Sequence, residues 1–215
     1  EKYQALWNDY ETSPRTRSRF YNAQAKALFD EILKDIEGLT SHDGRPAVLK
    51  VLPTSFPSFY RARIAFDRKT VDRYLKEPEH ELGAPPSAFA KPGRMNANGI
   101  PVFYGAFEQR TCIAELRPPV GSQIVVAKFD VMRELRLLDL DVFTTLTVDG
   151  SLFDPEHRER LDRIAFLRNL HAHVIRPTMP GEEELGYLPT QAFAEYLANG
   201  ATPRFDGLMF GSTQT

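Results

Sequence analysis

Residues 93–118 read GRMNANGIPVFYGAFEQRTCIAELRP, and the order of textures in this stretch sets the fold class. Asn96, Asn98 and Gly99 suit a tight turn whose backbone needs unusual dihedrals. Pro101–Ala106 (PVFYGA) then reads as a strand and Thr111–Leu116 (TCIAEL) as a short helix. Short strands and helices continue on both sides without the regular βαβ alternation of a doubly wound sheet, so the expected class is α+β.

Working upstream, residues 67–92 are polar and proline-rich. Asp72–Lys76 is expected to form a turn of helix, and Glu77–Pro92 a loop with too few apolar residues to be core. Before it, Val48–Leu52 and Phe59–Phe66 (FYRARIAF) are strand candidates. Alternation in the second puts Phe59, Arg61, Arg63 and Ala65 on one face. Two arginines side by side are either decoration on an exposed strand face or the floor of a cleft that holds an anion. Residues 40–46 read as a turn or linker. The clearest helix spans 14–37, where Phe20, Tyr21, Ala25, Leu28, Phe29, Ile32 and Ile36 recur at three- and four-residue steps. Ser13 would cap it, with Pro14 at the first helical position and Gly38 as terminator. These features divide the chain into an N-terminal helical extension, 1–46, and a main domain, 47–215.

Working downstream, Gln123–Phe129 and Leu135–Leu140 are apolar strand candidates. Residues 155–170 are helical, with Leu161, Ile164, Leu167 and Leu170 on one stripe. Thr190–Ala198 is a third helix and Phe205–Phe210 a final strand. Composition narrows the function classes. Hydrophobic residues make up 42% and charged residues 26%, as in an ordinary globular protein. A net charge of −2 gives no electrostatic case for nonspecific nucleic-acid binding. The single Cys112 excludes an intrachain disulfide and a thiolate-built zinc site. No run approaches the roughly 18 apolar residues of a membrane span, and the N-terminus does not read as a signal peptide. A cytoplasmic protein acting on a small molecule is the expectation.

The residues that can carry chemistry lie in the opening stretch. The turn at 93–99 can aim Arg94 and several backbone N–H groups at one anion, or it is an ordinary turn with a solvated arginine. Glu115 is flanked by Cys112, Ile113, Ala114 and Leu116, so it should meet an arginine (Arg94, Arg61 or Arg117) or line a cleft. The chain has no GxSxG, P-loop, HExxH or GxGxxG motif. His171 and His173 form an HxH with no third ligand at a motif spacing, which favours alternating histidines on a strand surface over a metal site.

Together FYRAR, the stretch at 93–118, YLPTQAFAEYLA and FDGLMFGS resemble the RES domain family, from about residue 59 onward. The resemblance implies a split, mixed β-core like that of ADP-ribosyltransferase toxins, flanked by helices, with NAD⁺ in the cleft. It implies an enzyme that breaks the nicotinamide–ribose bond of NAD⁺ by phosphorolysis or hydrolysis, a NAD⁺ phosphorylase or glycohydrolase. It further implies a bacterial toxin–antitoxin pair, silenced by an Xre-type antitoxin protein. By position the family's Arg falls on Arg94, its Tyr on Tyr104, its Glu on Glu115 and its Ser on Ser212, with Arg61 the arginine of the first core strand and Arg63 a weaker candidate. Relatives usually continue beyond the serine motif into a further strand, whereas this sequence ends at Thr215.

Those implied roles are chemically coherent. Breaking the glycosidic bond develops oxocarbenium character, which a carboxylate at Glu115 would stabilise. Arg61 and Arg94 suit the pyrophosphate or ribose hydroxyls, Tyr104 offers a ring to pack on the nicotinamide ribose or ring, and Ser212 is expected to hydrogen-bond the carboxamide or a ribose. NAD⁺ is then the substrate, with inorganic phosphate as a second one, and no metal is required because the leaving group carries its own activating charge. Two rivals stand beside this reading: a transferase that places ADP-ribose on a macromolecule, and a non-catalytic nucleotide-binding module. Ile113, two positions before Glu115, stands where many transferases of that fold carry an acidic residue or glutamine. The sequence is compatible with a homodimer and assigns no role to residues 1–46.

Overall fold

In the computed structural model, residues 3, 5, 8, 23–54, 58–147, 151, 153–176 and 186–212 are described. Their elements in chain order are α1 (Ala23–Ile32), β1 (Val48–Val51), β2 (Phe59–Ala65), α2 (Arg68–Lys76), α3 (Pro78–Leu82), α4 (Gln109–Leu116), β3 (Gln123–Phe129), β4 (Leu135–Asp139), α5 (His157–Ile175), α6 (Leu188–Glu195) and β5 (Gly207–Met209). Short 3-10 turns cover Ile36–Gly38, Ser87–Phe89 and Asp141–Thr145. The fold is α+β, with a helix, α1, before the first strand. Strands β1-β4-β5 form one sheet and β2-β3 another. The chain divides into two compact units, one made of 1–50, 93–95 and 135–211, the other of 51–92, 96–134 and 212–215.

In the first unit, Ala25, Leu28, Phe29 and Ile32 of α1 are all buried, the three- and four-residue spacing of a core-facing helix. They join one apolar cluster with Leu138 and Leu140 around the end of β4, Val142 and Phe143 behind it, and Ile164, Phe166, Leu167, Leu170 and Val174 of α5. Strands β4 and β5 run parallel, Leu137 facing Gly207 and Asp139 facing Met209. The expected α1 cap at Ser13 and Pro14, and Phe20 and Tyr21, lie outside the described residues. Helix α5 runs to Ile175, beyond the expected end at residue 170, because Val174 adds another buried position. Leu161, expected on its buried stripe, is exposed, and Phe166 is buried instead.

Asp139, at the end of β4, is buried, and its Oδ1 accepts the Asp141 N–H at 3.0 Å. Burial pushes its carboxyl above the ordinary aspartate range, against the lowering effect of the Asp141 N–H it accepts, and the like charge of the Asp141 carboxylate adds a smaller push upward. The unfolded chain therefore ionises first as pH rises, and the folded state bears the cost of the charge above that range. Asp139→Asn keeps the acceptor and removes the charge, so its melting temperature at neutral pH should exceed the parent's. The advantage should fade as pH falls below the raised folded value and be gone below about 3.9, the ordinary aspartate value. Equal melting temperatures at neutral pH would refute this account.

In the second unit, β2 and β3 pair antiparallel from Phe59↔Phe129 to Ala65↔Gln123. Helix α2 begins at Arg68, not at Asp72 as expected, because Asp67 caps it: its carboxylate accepts the Thr70 N–H and the Thr70 hydroxyl, each at 2.8 Å. Val71 and Tyr74 then pack with Ala65, Leu82 and Val125. The segment 77–92 corrects the expectation of a coreless loop. It holds α3 and a 3-10 turn, and Leu82 is fully buried. One leucine among charged residues suffices, since Pro78 starts the helix and Leu82 ends it against the core.

Pro101–Ala106 does not form the expected strand. Only Ala106 pairs, exchanging both backbone hydrogen bonds with Tyr60, N–H to O at 2.7 and 2.9 Å. Pro101 has no N–H to offer a ladder, and at Gly105 a Cβ would lie 3.1 Å from the Tyr60 carbonyl oxygen. The segment is therefore irregular, with a single backbone bridge to β2.

Candidate active site

The second unit carries Arg61, Arg63, Tyr104, Glu115 and Ser212; Arg94 belongs to the first. Paired residues of antiparallel strands share a face, so Arg61 and Arg63 stand on the side of β2-β3 that also bears Ala65, Val125, Ala127 and Phe129. That face is packed rather than fully solvated, and both arginines are half-buried. Arg61 donates from Nη1 to the Gly83 carbonyl at 2.8 Å, and its guanidinium lies 5.4 Å from the Phe103 ring centre. Phe103 in turn meets Phe129 edge-on at 4.9 Å. Burial, and then the like charge of Arg63, lower the pKa of Arg61. A half-desolvated cation with a second cation beside it is a setting that an anion relieves. Tyr104 is near enough to Arg61 to interact with it electrostatically.

Tyr104 has 42% of its surface exposed, and its hydroxyl donates to Asn96 Oδ1 at 2.8 Å. The sequence pattern places Asn96 as a turn residue with special backbone dihedrals. It is instead a buried hub, and Gly99, at φ 83°, is the turn residue with a left-handed backbone. The signal that distinguishes the two roles is the side-chain amide, whose donors can hold several carbonyls at once.

Helix α4 buries only Cys112, which receives a backbone hydrogen bond from Ala62 on β2. Glu115 is accordingly exposed, not set in an apolar surrounding as its neighbours in sequence suggested. Ile113, Ala114 and Leu116 are only half-buried, because a helix with one fully buried position has no wide apolar stripe. The Ser212 hydroxyl donates to Glu115 Oε1, joining residues 97 positions apart. The helix ends at Arg117, which adopts a left-handed conformation at φ 44°. Pro118 follows and cannot extend the helix, so the chain turns at Arg117, two residues beyond Glu115. Strain of this kind in a non-glycine residue tends to gather near functional groups.

In the first unit, Arg94 is half-buried and donates from Nη1 to the Val174 carbonyl in the last turn of α5. Its own carbonyl accepts the Thr190 hydroxyl at 2.6 Å, and the Gly93 carbonyl accepts from the Gln191 amide at 2.8 Å. The turn that presents Arg94 is thus tied to α5 and α6. His171 and His173 lie on helix α5, not on a strand, and residues two apart on a helix point to different sides. His171 Nε2 meets Asp141 Oδ1 at 3.0 Å, and that oxygen also accepts the Gly211 N–H at 2.9 Å. Among the described residues no cluster of three or more His, Cys, Asp or Glu is placed to hold a metal ion, and no helix is long and apolar enough to cross a membrane.

No curated protein and no solved structure matches the chain closely enough to compare. The model of the RES domain matches residues 59–215, the span that contains every candidate residue above. The chain belongs to the RES domain family.

Proposed function

We propose that the protein cleaves the nicotinamide–ribose bond of NAD⁺, with phosphate or water as the acceptor of ADP-ribose. The observation that carries the reading is the Ser212–Glu115 hydrogen bond, which joins the residues that match the family's named serine and glutamate. It fixes one carboxylate oxygen and so orients the group, while the exposed setting of Glu115 gives substrate access to it. In this mechanism nicotinamide leaves as a neutral base with the bonding electron pair. The Glu115 carboxylate stabilises the oxocarbenium ion left on the ribose. A phosphate oxygen, or water with loss of a proton to solvent, then bonds to the anomeric carbon. Ser212 acts here as the partner of Glu115, whereas sequence alone suggested a contact to NAD⁺ itself. Arg61 is the proposed anchor for the pyrophosphate and Arg63 for phosphate, and Arg94 is proposed separately as an NAD⁺-binding residue.

Phosphate has an advantage as nucleophile in this scheme, since it needs no general base and Glu115 is committed to the cation. The proposed biological setting is a toxin neutralised by an Xre-type antitoxin. Incubation with NAD⁺, with and without phosphate at fixed ionic strength, should release nicotinamide and give ADP-ribose 1″-phosphate when phosphate is present. Constant ionic strength is needed because salt alone screens arginine–NAD⁺ attraction. Plain ADP-ribose at a rate independent of phosphate would assign water as the acceptor. Intact NAD⁺ after prolonged incubation would overturn the reading.

A further inference from the structure

Asn96 occupies an unusual position in the segment that leads to Tyr104. It is 5% exposed, and its Nδ2, with two hydrogens, donates to the carbonyls of Lys91 at 2.9 Å and Ile100 at 3.0 Å, with the Ala97 carbonyl at 3.3 Å sharing one of them. The loop around it is closed by two backbone bonds, Gly99 N–H to Ala90 O at 2.9 Å and Ile100 N–H to Ala97 O at 3.1 Å. Oδ1, the opposite end of the same amide, accepts the Tyr104 hydroxyl at 2.8 Å. One side chain therefore sets the loop with its nitrogen and the tyrosine with its oxygen. A phenol has a single hydrogen to donate, and here it goes to Asn96. Tyr104 as a residue is 42% exposed, while its hydroxyl is directed to a buried partner.

We infer that Asn96 is the positioning residue for Tyr104, and that Tyr104 serves the site with its ring face while its hydroxyl acts as a tether. The physical case is the cost of an unfixed platform. A ring held at its far end can stack on a planar or sugar group without losing rotamer freedom on binding, whereas an untethered ring must be ordered at that moment. The irregular backbone of 101–105 does not fix the ring through a strand ladder, so a side-chain bond has to do so. The inference rests on the proposed NAD⁺ chemistry only for what the ring packs against.

The test uses the full chain labelled with 3-fluorotyrosine and read by fluorine NMR. Among the eight tyrosines, Tyr104 is assigned by the resonance lost in Tyr104→Phe. Asn96→Ala should move the Tyr104 resonance toward that of a solvated tyrosine. Should that variant not fold, Asn96→Asp provides the same readout, because a charged acceptor replaces a neutral one against the phenol and must displace the resonance. In NAD⁺ turnover, loss of the tether should raise KM by about fivefold, the worth of one neutral hydrogen bond, with a smaller change in kcat. Asn96→Ala should lose part of its effect in a Tyr104→Phe background, since the two remove one shared bond. A Tyr104 resonance unmoved in both Asn96 variants would overturn the inference whatever the activity. So would a displaced resonance with parental KM and kcat. A parent protein that leaves NAD⁺ intact would instead overturn the functional reading, and the resonance would still decide the tether.

Discussion

Glu115→Gln is expected to lower NAD⁺ consumption by about two orders of magnitude or more while leaving the fold intact, the scale of losing one preorganised electrostatic group. The substitution keeps the shape of the side chain and an oxygen that can accept the Ser212 hydroxyl. What it removes is the negative charge that would face the oxocarbenium ion. Because Glu115 is exposed at the end of α4, no buried partner is orphaned by the change, and melting temperature should stay near the parent's. Ser212→Ala should give a smaller loss, since it frees the carboxylate to rotate but leaves its charge in place. The ordering Glu115→Gln worse than Ser212→Ala is the discriminating result. A folded Glu115→Gln protein with parental turnover would remove this residue from the mechanism. Equal losses for both variants would mean that the serine does more than orient the carboxylate.

How far the sequence predicts this molecule varies with the kind of physics involved. Helix α1 was legible from spacing, because Leu28, Phe29 and Ile32 face one large core, but it ends at Ile32 rather than at residue 37, and the buried Ile36 sits in a 3-10 turn. Strands β2 and β3 were legible from two-residue alternation, which also placed Arg61 and Arg63 on one face. The failures occurred where one residue decides the structure. Leu82 makes a core element out of a stretch that otherwise reads as solvent, and Asp67 starts α2 a full turn before its apolar pattern begins. Pro101 and Gly105 turn an apolar run into irregular chain with a single bridge. Glu115 shows the same limit at the site: its neighbours in sequence are apolar, yet in an eight-residue helix only Cys112 reaches the core. The motif supplied the identity of the candidate residues. The Ser212–Glu115 bond and the Asn96–Tyr104 bond depend on tertiary contacts that spacing does not encode.

The largest effect on stability is expected from Phe193→Ala. Phe193 is fully buried on α6, with its ring 5.2 Å from Phe29 of α1, which also lies 5.1 Å from Tyr196. Truncating a phenylalanine in such a place removes its burial and leaves a cavity among rings that cannot collapse freely, a loss of about 3–5 kcal/mol. Against a typical total of about 5–15 kcal/mol this is a large fraction, so denaturant midpoint and melting temperature should both fall clearly. The consequence should reach the proposed site as well. Helix α6 carries Thr190 and Gln191, whose side chains hold the carbonyls of Arg94 and Gly93. Loosening α6 should therefore weaken the hold on the turn that presents Arg94, raising KM for NAD⁺ at temperatures where the variant is still folded. Thr190→Val separates the two effects, because it removes the hydroxyl tether with little change in core volume. It should raise KM with a smaller drop in melting temperature than Phe193→Ala. A Phe193→Ala protein within about 1 kcal/mol of parental stability would contradict the packing account, since surface-like tolerance has no place at a fully buried ring.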